Sequence, residues 1–276
     1  MAVESAHELV QTVHEAAERG SDIPELPNFI SMLGKGLQGN PFIAALHHWE
    51  NLVFSLLVGV TLSLIAWRYT RKPSTIPHGW QNGIEILVDG VDSFVRGIIG
   101  KAGRAHTPFI GTLFLYIWLM NLSVLVPGLK SSTSSLNTTV ALALVVFCYV
   151  QGVGIKEQGL LEYVDHLAGS PRDVVGWALV PLMLPIHVIG EFVKPLSLSL
   201  RLGFNVFAED VLLAVLVGLG ITAGAAIHAP VGIPLQAFVV PLVLIFSTVQ
   251  ALVFSLLSTV YIGLMLPHDA HHGEAH

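Results

Sequence analysis

Between Val211 and Pro267 the chain carries no Asp, Glu, Lys or Arg. A core inside a soluble domain has no need of so long an uncharged run, whereas each helix crossing a ~30 Å hydrocarbon layer needs about 20 mainly apolar residues. The composition agrees. Of the 276 residues, 53% are hydrophobic and 12% charged, whereas soluble domains carry roughly 25% charged residues. The expected fold is an all-α integral membrane protein, since backbone polar groups in lipid must be satisfied within the segment.

A net charge of −6 argues against nucleic acid as a partner, which would call for a basic patch. Residues 1–45 hold Glu4, Glu8, Glu15, Glu18, Asp22 and Glu25 without the basic and apolar regions of a cleavable signal. They read as an extramembrane segment preceding a membrane domain over 46–267. The His-rich tail 268–276, with His268, His271, His272 and His276, reads as solvated, and no metal site is expected there. Cys148 lies in an apolar run, where a thiol behaves as a small hydrophobe.

The first span, 51–67, runs directly into "RYTRKP". Six of the 13 Lys and Arg residues, Arg68, Arg71, Lys72, Arg96, Lys101 and Arg104, fall between 68 and 106, so this loop is expected on the cytoplasmic side with the N-terminus outside. Within it, residues 83–100 space apolar side chains at helical intervals between acids, which predicts an interfacial amphipathic helix. Spans at 108–128 and 136–155 form a hairpin around a Ser/Thr-rich turn. Pro181, Pro185 and Pro195 predict a kinked, broken entry into a helix ending near Val217. After a glycine- and proline-rich turn over 218–233, a last helix is expected over 234–266, roughly 50 Å long and steeply tilted. Together these make about five transmembrane helices, with the C-terminus cytoplasmic.

Arg201 stands within this apolar sequence, although a charged residue at bilayer depth costs about 2.5–3.5 kcal/mol on the mildest scale. With Arg201 at 0° on a helix, Lys194 falls at about 20°, Asn205 and His187 at about 40°, Glu191 and Glu209 at about 80°, and Asp210 at about 180°. Around Gln250, the residues Gln236, Ser247 and Tyr261 share a second face within about 60°. A turn centred near residue 226 would set Arg201 level with Gln250, whose amide would hold the guanidinium while its other donors await a carboxylate. The bland alternative, Arg201 snorkelling to an interface, leaves the matching polar groups on both helices without purpose.

The stretches "EFVKPLSLSLRLGFNVFAEDVLL", "TVQALVFSLLSTVYIGLML" and "TPFIGTLFLYIWLMNLSVLVPG" resemble subunit a of the membrane sector of F-type ATP synthases, over about residues 80 to 266. The resemblance implies a non-catalytic stator in a bacterial inner membrane. It implies as partners the subunit c ring, the subunit b peripheral stalk and the rest of the complex, and no cofactor. It also implies two half-channels leading to a carboxylate on each ring hairpin, with Arg201 separating them. Arginine suits that role because its pKa above ~12 keeps it from relaying a proton. Ser197, Arg201, Asn205 and Gln250 match the family motif, and Asp210 stands where most members have glutamate.

The chain departs from the family pattern in three places. The usual Leu-Phe-Gly-Asn reads Leu-Gly-Phe-Asn at Gly203 and Phe204; His187 replaces Glu or Asn; Val243 replaces a histidine that in some members partners the motif carboxylate. Water, Glu209 or His187 is expected to stand in for that histidine. A sodium-driven relative is the alternative within the family, and a secondary transporter binding an anion at Arg201 the alternative outside it. No Walker glycine loop is present, which assigns nucleotide chemistry to another subunit.

Overall fold

The computed structural model describes residues 49–70, 80–126, 128–129, 131–159, 163, 174–226 and 234–266. The expected N-terminal segment 1–45 and the His-rich tail lie outside them. Among the described residues there are six long helices: α1 (Glu50–Thr70), α2 (Trp80–Ile99), α3 (Thr107–Leu122), α4 (Leu136–Gln158), α5 (Val174–Ala226) and α6 (Val240–Met265). All but α2 are long and apolar enough to cross a membrane. The chain is therefore a five-span, all-α integral membrane protein with an added amphipathic helix.

Each boundary has a local cause. Pro108 sits in the first turn of α3 and Pro241 in the first turn of α6, where a missing N–H removes no helical bond. Gly159 takes φ +85 after α4 and donates its N–H to Ile155 O, a conformation that a side chain would strain. The amphipathic α2 buries Val95 against α3 and α6, and its Asp92 accepts from Thr107 Oγ1 at 2.7 Å while pairing with Arg96. Side chains from α2 to α6, including Ile110, Val146, Leu202 and Phe254, close one core.

The last two helices differ from the sequence expectation. α5 runs unbroken for 53 residues through Pro181, Pro185 and Pro195. It also continues past Val217 to Ala226, through glycines that signal a turn in soluble proteins. In an apolar surrounding the peptide groups have no alternative partner, so a glycine penalty of about 1 kcal/mol does not end the helix. α6 has 26 residues and is shorter than expected, because Pro241 fixes its start and residues Leu235–Phe238 form a 3₁₀ turn. The outsized helix is thus α5, about 80 Å long at 1.5 Å per residue.

Gly203 brings α5 into close contact with α4. A Cβ there would stand 2.9 Å from Leu136 Cδ2 and 3.1 Å from Thr139 Oγ1. Gly203→Ala should therefore push the two helices apart and cost about 1–3 kcal/mol, as overpacking does. A lower thermal midpoint of the purified complex would register it, and an unchanged midpoint would mean that Leu136 can give way.

Candidate functional site

α5 and α6 meet through two polar rungs one helical turn apart. Asn205 Nδ2 donates to Gln250 Oε1 at 2.8 Å, and Ser247 Oγ donates to Glu209 Oε2 at 3.1 Å. The spacing follows from antiparallel helices, on which i and i+4 of one face i and i−3 of the other. Gln250 and Glu209 are buried, 5% and 7% exposed, so neither depends on water for its partner. One turn below Asn205 the same register brings Arg201 level with the buried Phe254.

Arg201 is exposed and forms no hydrogen bond or ion pair with any described residue. The expected contact with Gln250 is absent because the helices are offset by one turn from the expected level, and Gln250 serves Asn205 instead. Around Arg201 the exposed face of α5 carries Ser197, Phe204, Ala208 and Leu212. A guanidinium with five donors thus projects from an otherwise weakly polar surface.

Towards the N-terminal end of α5 a second cluster forms. Lys194 pairs with Glu191 and lies 5.5 Å from the centroid of the Tyr261 ring. Gln151 Nε2 donates to Glu191 Oε2 at 3.2 Å, while Tyr163 OH donates to Gln151 Oε1. Burial, then the Glu191 carboxylate, push the Tyr163 phenol up from its ordinary pKa, so it remains a donor. Side chains from three segments of the chain thus gather around one carboxylate.

A third cluster lies beyond Glu209. Asn121, fully buried, accepts from Thr133 Oγ1 at 2.7 Å and donates to Ser247 O at 3.4 Å. Ser131 Oγ stands 2.7 Å from Thr133 Oγ1. Since Thr133 occupies the amide oxygen of Asn121, the amide nitrogen must face α6. The turn between α3 and α4 is in this way tied to the residue that holds Glu209.

Of the residues singled out in sequence, Asn205 joins Gln250, and Glu209 joins Ser247. Glu191 joins Lys194, while Arg201 faces outward. Ser197 and His187 are exposed and meet none of the others, and Asp210 is half-buried on the opposite side of α5 from Arg201. His187 lies about 21 Å from Arg201 along the helix, and so does not reach Glu209. Gln151, Tyr163, Asn121 and Thr133 belong to the clusters without standing out by helical position. Asn121 does carry a usable signal, as an amide in the middle of the apolar run "LYIWLMNLSVLV". Among the described residues no group of His, Cys, Asp and Glu could hold a metal.

An all-α bundle of five spans, with paired polar groups on two helices and an outward-facing guanidinium one turn away, defines a multi-pass membrane protein with charged groups held at membrane depth. The sequence model of the family described as ATP synthase A chain matches residues 52–263. The chain is 44% identical over 253 residues to ATP synthase subunit a of Protochlamydia amoebophila, covering 92% of this chain and 93% of that one. It is 38% identical over 222 residues to the subunit a of Solidesulfovibrio magneticus, covering 79% and 85%. With the subunit a of Aliarcobacter butzleri it shares 36% over 231 residues, covering 82% and 94%. The chain belongs to the ATP synthase subunit a family.

Proposed function

We propose that this chain is the proton-translocating stator of an F-type ATP synthase in a bacterial inner membrane, set against a ring of subunit c and held by subunit b. The observation that carries the reading is Arg201, exposed on an apolar face with no hydrogen bond or ion pair to any described residue. A lipid-facing charge of that kind is costly, and a ring carboxylate arriving at the same level removes the cost by pairing with it. Opposite charges attract far more strongly in such a low-dielectric gap than in water.

The polar clusters on either side of Arg201 supply the two half-channels. Glu209, Asp210, Ser247 and Asn121 serve the one open to the outer face, next to the turn between α3 and α4. Glu191, with Lys194, Gln151 and Tyr163, serves the cytoplasmic one. Asn205 and Gln250, bonded to each other, line the approach to Arg201, and Ser197 and His187 extend the polar strip towards the cytoplasm. A proton reaches the ring from the outer side, neutralises a carboxylate so that it can turn through lipid, and leaves through the inner half-channel. The chain itself performs no nucleotide chemistry.

Vesicles containing the whole complex test this directly. ATP addition should acidify their interior in the absence of sodium. Transport that requires sodium would assign the chain to a sodium-driven complex, and a protein purifying without a small hairpin proteolipid and soluble ATPase subunits would favour a secondary transporter.

The charge pattern also sets a topology, with the N-terminus outside and, after five crossings, the C-terminus inside. Single cysteines placed near each end, in a Cys148→Ala background, should react with an impermeant reagent from opposite sides. Both ends reacting from outside would demand a sixth crossing.

A further inference from the structure

Gly203 and Phe204 face different neighbours. Gly203 lies against Leu136 and Thr139 of α4, where a Cβ would require the Leu136 side chain to shift, and Phe204, about 100° further round the helix, points away from that contact. Phe204 is 57% exposed, comparable with Phe192 and Ile221 on the same helix. On the helix it stands about 60° round from Arg201 and one turn on, hence on the same strip.

The same phenyl ring lines a cavity of about 410 Å³. Ser134, Ser135 and Asn137 form its polar wall, from the start of α4 and the residues just before it, and Phe204 and Phe207 form its aromatic wall on α5. The polar wall can hold water, since hydroxyls and an amide offer several partners within a space far larger than the ~30 Å³ a water occupies. Phe204 is therefore a wall shared by a hydratable cavity and by the strip that carries Arg201.

We propose that Phe204 is an apolar seal that stops water in this outer cavity from reaching Arg201. The inference rests on the stator reading, in which Arg201 marks the closest approach of the two half-channels. Apolar constrictions exclude water and ions by dewetting, and Phe204 supplies the apolar surface between the cavity and Arg201.

The test uses vesicles holding the whole complex, with passive proton leak followed after a pH jump. Phe204→Ala should raise the leak on the order of tenfold, equivalent to a barrier lowered by about 1.4 kcal/mol. Phe204→Leu, which refills most of the space, should stay near the native leak. Phe204→Cys in a Cys148→Ala background should react with an impermeant maleimide added outside. A Phe204→Ala complex as tight as the native one, or a Phe204→Cys complex labelled from the cytoplasmic side alone, overturns the seal. Should Phe204→Ala not assemble, the labelling decides. The stator reading fails separately, by normal pumping in an Arg201→Ala complex.

Discussion

Replacing Arg201 with alanine or lysine should abolish ATP-driven proton pumping by the assembled complex. The alanine variant loses the exposed charge on its strip of α5, so a ring carboxylate arriving there has no counter-ion and must stay protonated or stay away. It should also leak, because the cation that repels protons between the half-channels is gone. Lysine keeps a charge in water, but a desolvated ammonium can give up its proton, and it lacks the planar fork that meets a carboxylate on two sides. Fluorescence-quench measurements on vesicles, with passive leak recorded in parallel, separate the two variants. Near-normal pumping by the alanine variant would end the proposed mechanism.

Glu209→Gln should lower pumping roughly a hundredfold, the low end of what a positioned proton-transfer group contributes. Glutamine keeps an oxygen for the Ser247 hydroxyl, whose bond to Glu209 is 3.1 Å, and so leaves the α5–α6 contact in place while removing the titrating group. Asp210 stands on the side of the helix away from Arg201. Asp210→Asn should slow proton access from outside, and Asp210→Glu should be tolerated. The two substitutions discriminate: full activity in Glu209→Gln with loss in Asp210→Asn would give the whole role to Asp210. Loss of assembly in either variant would point to a structural part for that carboxylate instead.

The spans are legible in sequence because the uncharged runs leave the backbone no choice but helix, and the positions of Arg201, Asn205, Glu209 and Gln250 on shared faces follow from spacing alone. Punctuation learned from soluble proteins fails here. Gly218 and Gly220 signal a turn, and Pro181, Pro185 and Pro195 a break, yet α5 passes through all five. A turn placed too early shifts the level of the two helices, which is why spacing matches Gln250 to Arg201 while the fold gives it to Asn205. The clusters around Glu191 and Asn121 are less legible for another reason. Gln151 lies 40 residues from Glu191, and Ser247 lies 126 from Asn121; single polar residues in apolar helices more often bond their own backbone, as Thr248 and Thr259 do here.

The length of α5 has a consequence for how the protein is made. Its apolar stretch of 45 residues, Val180–Gly224, is about 68 Å long, and to stay within ~30 Å of hydrocarbon it must lie roughly 60° or more from the bilayer normal. A nascent chain released sideways from a translocation channel arrives as segments of ordinary spanning length, near upright, and no single release can deliver a rod at that slope. α5 needs a surface to lean on, and α4 offers one at Gly203. Biogenesis should then proceed in two acts: α1 to α4 assemble first as an upright scaffold, and α5 subsides onto it with α6 beside it, taking the buried amides and carboxylate between them out of lipid only in that last step.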